Sequence, residues 1–486
     1  MFSVHRIGAV AVLAALTGCS TDDGHRPHHD GTSDTSTDTQ TDTSTHTTPT
    51  LPDGKALVFD GPRPKNLLML SIDTTRRDHI APYTPDGAVY TPFLTQKMAE
   101  GVRLDAHQQC SDWTYASTSC TLQGRYHDEQ GYIPDFGPIL EAWLPSGQRS
   151  FAVRLQEKGF ATVLVSSNGW LGPTVNNAQG YELAPGPSGG GGSATNLALV
   201  GRDTMQDRLT SSPDAPWLLH VHFIEPHPPY IPPESYLDEE NALPPLPDGI
   251  DLETQTGQYD ATWGLWPTLD PDDQANLEAH VRARYHGELR YFDDQLAGIW
   301  QMFEDAGMLD DTLVLFWSDH GEQFWEHGNQ SHAFYLAAEE NDGVAFFWAK
   351  NLRSRAWTGP THAVDLLPTT LDAMGLLDDP DDPAFSGEVI SDEMDPNRYR
   401  IGMSVARRGV LLSVTGPNGW KLIYQWNNGT VALYDRNTDP AELTNLYTAD
   451  HPKVAELWSV LLPRIYSYQA LLPTRPLVWP EGLPTE

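Results

Sequence analysis

The sequence predicts an α/β protein with a mostly parallel central sheet flanked by helices, and a small antiparallel sheet plus one helix at its C-terminal end. Three observations carry this. Short apolar runs recur: NLLMLSI (66–72), ATVLVSS (161–167), WLLHVHFI (217–224), TLVLFWS (312–318) and VAFFWAK (344–350). Each is rich in Leu, β-branched or aromatic residues, as strands buried on both faces are. Helical patterns lie between them, clearest in ELRYFDDQLAGIWQMF, where Leu289, Phe292, Leu296, Ile299, Trp300 and Phe303 share one face. Strands alternating with helices imply a parallel sheet. Near the C-terminus, WKLIYQWNNGTVALYD sets two alternating runs around Asn428-Gly429, a hairpin signal, and an amphipathic helix follows in DHPKVAELWSVLLPRIY.

In chain order, the first element is a targeting segment. A basic start at His5-Arg6, an apolar run from Ile7 to Leu16 and the small-residue stretch LTGCS predict a signal peptide over residues 1–18, too short to span a bilayer as a helix. LTGCS resembles a bacterial lipobox. That resemblance implies cleavage before Cys19, a lipid anchor on it and, with Ser20 next, residence at the outer membrane of the cell envelope; an ordinary signal peptide with a chance Cys is the alternative. Residues 19–62 are dominated at first by Ser, Thr, Asp, Gly, Pro and His and predict a disordered tether in which His25, His28 and His29 are solvated. Residues 63–395 form the expected main domain and 396–486 a small α+β subdomain. Within the first, 231–275 is acidic and rich in Pro and Trp, and reads as a long surface excursion of the kind that shapes specificity. GPSGGGG (186–192) reads as a flexible turn, because no Lys follows it as in a phosphate loop.

Asp and Glu number 66 against 30 Lys and Arg, a formal charge of -36 with no basic tract. Nucleic acid and acidic lipid headgroups are therefore poor partners, and no nucleic acid is expected. Ligands of open α/β sheets bind beyond the carboxyl ends of the strands, and the ionisable residues cluster at those positions. Asp73 ends the first run, His227 follows the third in IEPHPPY, and Asp319 and His320 end the fourth. Two carboxylates and an imidazole suit one divalent metal ion: Mn or Zn, with Ca also compatible. Taken alone, each Asp equally suits a helix N-cap.

The blocks NLLMLSIDTTRRDHIAPY, QQCSDWTYASTSCTLQGRYHDEQGY, HFIEPHPPYIPP, LRYFDDQLAGIWQMFEDAGMLDDTLVLFWSDHGEQFWEHG, AVDLLPTTLDAMGL and WKLIYQW to AELTNL resemble, in order, those of the sulfatase family within the alkaline phosphatase superfamily. The resemblance implies an alkaline-phosphatase-like fold and a metal-dependent hydrolase of sulfate or phosphate esters, acting on a small molecule or glycan. The family signature places its nucleophile ten residues before the Gly of a terminal Thr-Gly-Arg, which here counts back from Gly124 to Thr114. The element reads Thr114-Tyr115-Ala116-Ser117-Thr118, without the family's Cys, Pro and Arg. Thr114 is thus the implied nucleophile, although alone it also suits an N-cap. Direct coordination to a cation would activate its hydroxyl.

By the same resemblance, Asp73, Thr114, Asp319 and His320 share one metal, and His227 contacts the ester anion or protonates the leaving group. His332 takes a second anion-binding position, with Ala333 where Gly is usual. The family's Lys-x-His element is replaced by Asn168-Gly169-Trp170, where Asn168 offers a hydrogen bond but no charge. These departures leave open a transferase of phospho-headgroups and an inactive glycan-binding relative. Cys110 and Cys120 are either a disulfide or two buried thiols.

Overall fold

The structure is a computed structural model that describes residues 54–84, 87–135, 144–184, 193–377 and 385–485. The signal segment, Cys19, the linker histidines and the 186–192 turn all lie outside the described residues. Residues 55–60, which the composition assigned to the tether, pack on the domain instead: Ala56 and Leu57 are buried, Ala56 N–H donates to the Ile390 carbonyl, and Phe59 bridges to Leu352.

Among the described residues, fourteen strands form three sheets. The main sheet holds β1 (Asn66–Ile72), β2 (Val102–Gln108), β3 (Ala161–Ser166), β4 (Glu182–Leu183), β5 (Trp217–Phe223), β6 (Thr312–Ser318), β9 (Ala345–Trp348) and β10 (Arg355–His362), in the order β10-β2-β9-β6-β1-β5-β3-β4. Only β9 runs antiparallel to its neighbours. A short ribbon pairs β7 (Gln323–Phe324) with β8 (Gln330–Ser331). All five apolar runs in the sequence are strands of the main sheet. The sequence patterns missed β2 and β10. VRLDAHQ in β2 carries three ionisable side chains, and RAWTGPTH in β10 contains Pro360 beside a register shift. Pro is tolerated there because β10 is an edge strand.

Alternation along the strands builds the two faces. Leu68, Leu70 and Ile72 of β1 pack with Leu219 and Phe316 under two helices, Ala194–Thr210 and Pro271–Asp305, the latter contributing Leu289, Phe292, Leu296 and Ile299. Leu67 and Met69 point the other way, joining Leu164, Leu218, Leu315 and Trp317 beneath helices Phe151–Glu157 and Leu366–Ala373. A sheet covered on both faces explains why its central strands are apolar over most of their length.

The C-terminal sheet orders β11 (Arg400–Ala406), β12 (Gly409–Thr415), β13 (Trp420–Gln425) and β14 (Thr430–Asp435) as an antiparallel meander, with the β13–β14 hairpin turning at Asn428-Gly429. Helix Pro452–Leu471 covers one face through Val454, Leu457, Trp458, Leu461 and Ile465. That apolar cluster also takes in Cys110, Cys120, Ala363 and Val364, so it ties the small sheet to the main domain. Among the described residues, no helix is long and apolar enough to cross a membrane.

Candidate active site

Period-two alternation continues past the strand ends and aims the polar groups. Ser71 and Asp73 extend the Leu67-Met69 side of β1. Asp319 extends the Leu315-Trp317 side of β6, His220 and His222 the Leu218 side of β5, and Asn168 the Leu164 side of β3. Two backbone hydrogen bonds carry the register into the site: Asp73 N–H to the Phe223 carbonyl and Asp319 N–H to the Ile72 carbonyl, both 3.1 Å.

Helix Thr114–Gln123 lies over this face. Its N-cap is Trp113, which makes no side-chain capping bond, and its C-cap is Gly124 at φ 63, a left-handed conformation that suits glycine. Thr114 is therefore the first helical residue rather than the cap. Asp73 and Asp319 cap no helix either. The uncapped helix start turns its partial positive charge toward the cluster. Cys110 and Cys120 are joined by a disulfide, Cα to Cα 6.4 Å, which ties the loop entering this helix to the helix's second turn.

Thr114 Oγ1 lies 3.3 Å from His320 Nε2, 3.5 Å from Asp73 Oδ2 and 3.2 Å from Asn168 Nδ2. Asn168 Nδ2 also donates to Asp73 Oδ2 at 2.7 Å. His320 Nε2 is 3.3 Å from Asp73 Oδ1 and 3.6 Å from Asp319 Oδ2. The structure thus brings Asp73, Thr114, Asp319 and His320 to one point, all buried. His332 borders it, its ring centroid 4.5 Å from that of His320 and 5.1 Å from that of the half-buried His227. Ser331 and Ala333 flank His332 at φ 86 and 68. Left-handed backbone at Ala333 is a conformation that glycine adopts more readily.

Sequence reasoning missed two groups. His222 Nδ1 bonds Ser71 Oγ at 2.8 Å, and its Nε2 points to Asp73 Oδ2 at 3.8 Å. The alternating His-Val-His of β5 was the available signal. Glu322 is fully buried with Oε1 3.2 Å from His332 Nδ1.

The electrostatics define what the cluster lacks. Burial, then the charge of Asp73, pushes the Asp319 carboxyl well above the usual range. Burial raises Asp73 too, but His227, His222 and His320 outweigh it and hold that carboxyl low. Burial and His332 push His320 down to about 3, and burial lifts Glu322 to about 7. Two buried carboxylates facing one another do not both ionise without a counter-charge. Among the described residues, Asp73 Oδ1, Asp319 Oδ2 and His222 Nε2 find no hydrogen-bond partner although buried. Ligand atoms of Asp73, His222 and Asp319 all lie within 4.8 Å of one another. This donor set fits a divalent cation with mixed oxygen and nitrogen ligands.

The sulfatase family profile matches residues 65–376. The multifunctional alkaline phosphatase superfamily protein PehA of Trinickia caryophylli is 27% identical over 184 residues, 33% of this chain and 34% of its own. The choline-sulfatase of Rhizobium meliloti (strain 1021) is 25% identical over 248 residues, 49% of this chain and 47% of its own. The chain thus matches between a third and a half of the length of these relatives. A solved complex of another protein with its substrate D-glucosamine-2-N,6-O-disulfate superposes with a TM-score of 0.64 at 16% identity, covering 84% of this chain and 98% of the other. That likeness is one of fold.

Proposed function

Since the chain belongs to the sulfatase family, we propose that it is a metal-dependent hydrolase of sulfate or phosphate esters with Thr114 as nucleophile. The observation that carries this reading is the convergence of Thr114 Oγ1, Asp73, His320 and Asn168 on one buried point, below an uncapped helix start.

Asp73, Asp319 and His320 would hold the cation with Thr114, and His222 Nε2 stands ready as a further ligand. When bound, the cation lowers the pKa of the Thr114 hydroxyl and neutralises charge on the ester anion. Asn168 donates to Thr114 Oγ1 and fixes its rotamer. The Thr114 proton passes toward Asp73 Oδ2, and Oγ1 attacks sulfur or phosphorus as the bond to the alcohol oxygen breaks. His227 Nδ1 is fixed as the donor to the Pro228 carbonyl at 2.7 Å. In the protonated ring, Nε2 then gives its proton to the departing alcohol. Water next attacks sulfur or phosphorus of the Thr114 ester, giving one proton to His227 Nε2 as the bond to Thr114 Oγ1 breaks; Asp73 returns its proton to Oγ1, so inorganic anion leaves and both side chains are restored. Thr118 takes no part in binding the anion: its hydroxyl donates to the Thr114 carbonyl at 2.6 Å and accepts from Asn177 at 2.7 Å.

The test is turnover of aryl sulfate, phosphate monoester and phosphodiester by the full chain after divalent metals are stripped and restored. Metal-dependent turnover lost in Thr114→Ala supports the hydrolase. Binding of these esters with no turnover of any would sink it in favour of an inactive relative, and transfer of a headgroup to an added acceptor would favour a transferase. The reading extends to a lipid anchor at Cys19 and an outer-membrane address, which radiolabelled palmitate incorporation lost in Cys19→Ser would support.

A further inference from the structure

A line of hydrogen bonds leads away from the cluster along the sheet face that carries Leu67, Met69, Leu164 and Leu218. His222 Nδ1 and His220 Nε2 each lie 2.8 Å from Ser71 Oγ, and His220 Nδ1 lies 3.4 Å from Tyr181 Oη. At the inner end, His222 Nε2 faces Asp73 Oδ2 at 3.8 Å. Strand pairing sets this spacing: Ser71 of β1 stands beside His222 of β5, and His220, two residues back, shares its face. Ser71, His220 and His222 are fully buried, while Tyr181, just before β4, is half-buried. Burial pushes the His220 ring well below the usual range, so it is neutral and carries one ring proton.

The Ser71 hydroxyl has one proton, so it donates to one ring and accepts from the other. The tautomers of the two histidines are thereby tied. Two arrangements make every link. In the first, Tyr181 O–H donates to His220 Nδ1, His220 Nε2–H to Ser71 Oγ, and Ser71 O–H to His222 Nδ1, which leaves a proton on His222 Nε2 toward the Asp73 carboxylate. In the second every donor is reversed: His222 Nδ1–H donates to Ser71, Ser71 to His220 Nε2, and His220 Nδ1–H to Tyr181 Oη. His222 Nε2 then presents a lone pair. The first suits a bare Asp73 carboxylate, and the second suits a cation among Asp73, His222 and Asp319, whose ligand atoms lie within 4.8 Å of one another. Passing from the first to the second releases a proton from His222 Nε2 and takes one up at Tyr181, so the total is unchanged and both rings stay neutral.

We propose that Ser71 and His220 are positioning residues that set the tautomer of His222, so that a cation held at the inner end reverses every hydrogen bond out to Tyr181. The assignment rests on the cation site of the hydrolase reading. It adds to that site the nitrogen on which His222 carries its proton and the groups that decide it. Neither Ser71 nor His220 touches the cation or the ester.

The test is a zinc titration of the chelator-stripped full chain, isotope-labelled at the histidine ring nitrogens and read by NMR, with affinity followed by calorimetry. His220→Gln identifies the His220 signals. Without zinc, His220 and His222 should both carry their proton on Nε2. With zinc bound, His222 should carry it on Nδ1 and His220 should follow, although zinc touches only His222. Ser71→Ala should hold His220 in one tautomer throughout and weaken zinc binding by ~10-fold or more. If Ser71→Ala fails to fold, the wild-type titration decides alone. Zinc bound with the His220 tautomer unchanged in wild type, or a reversal at His220 that survives Ser71→Ala, would overturn the proposal and leave the cation site standing. No zinc binding by wild type would overturn both.

Discussion

Two buried, charge-rich regions sit in this molecule, and they are built on opposite rules. Between the two sheets, Lys421 pairs with Glu442 at 3.2 Å, Arg436 with Glu442 at 2.9 Å and also with Asp342, and Arg77 with Asp342 at 2.5 Å. Guanidinium and ammonium groups outnumber carboxylates there. Burial, then Arg436, holds the nearby Arg400 down to about 9. At the carboxyl edge of β1, β5 and β6 the balance is reversed. Asp73 and Asp319 face each other and, among the described residues, their ion pairs are with histidines. The first region supplies its own counter-charges and serves the fold. The second withholds them, and a withheld counter-charge in a buried carboxylate cluster is the physical mark of a cation site.

The largest effect should separate the regions by activity. Asp73→Asn or Thr114→Ala should lower kcat/KM for the best ester substrate by at least ~10³-fold with little change in melting temperature, whereas Lys421→Met should leave kcat within a few-fold. Steady-state kinetics and thermal melts on the same samples check this. Stability should then sort them the other way. Glu442→Gln strands Lys421 in a buried site and should cost ~3–5 kcal/mol by chemical denaturation. Asp319→Asn, measured in chelator, removes the cost of protonating this buried carboxyl on folding and should raise the melting temperature by ~1–2 °C. A fall in that variant would erase the contrast.

A further buried carboxylate, outside both regions, should show itself through pH. Burial, then Glu225, pushes Glu288 up to about 8 while it accepts the Ile231 N–H at 2.8 Å. The folded state therefore keeps a proton that the unfolded state loses near the ordinary Glu pKa. Unfolding free energy from this group should decline as pH rises from about 5 to 8, with a slope no steeper than ~1.4 kcal/mol per unit. Glu288→Gln should remove that decline and match wild type near pH 5, as denaturant melts across the range would show.

Much of this contrast was legible in the sequence. Five strands announced themselves as apolar runs, and Asp73, Asp319 and His320 stood at strand ends where a ligand-binding edge was expected. Period-two parity was sufficient to place Asn168 and His222 on the face of Asp73, but His222 sat inside a run read as apolar and was passed over. β2 and β10 were hidden because charged and Pro residues interrupt them, and only pairing with neighbours makes them strands. The inter-sheet network was illegible because Arg77, Asp342, Lys421 and Glu442 are far apart in the chain and meet only when the sheets dock. Packing of Ala56 and Leu57 was masked by the tether-like composition just before them.

The central claim is that Asp73, Asp319 and His320 grip one cation beside Thr114. Titration of the chelator-stripped full chain with Mn and with Zn, read by calorimetry and elemental analysis, tests it most directly. The account predicts one equivalent bound per chain, lost in Asp319→Asn and weakened in His222→Ala but kept in Glu442→Gln. Saturable binding undiminished in Asp319→Asn, or full ester turnover by the stripped protein, would contradict it.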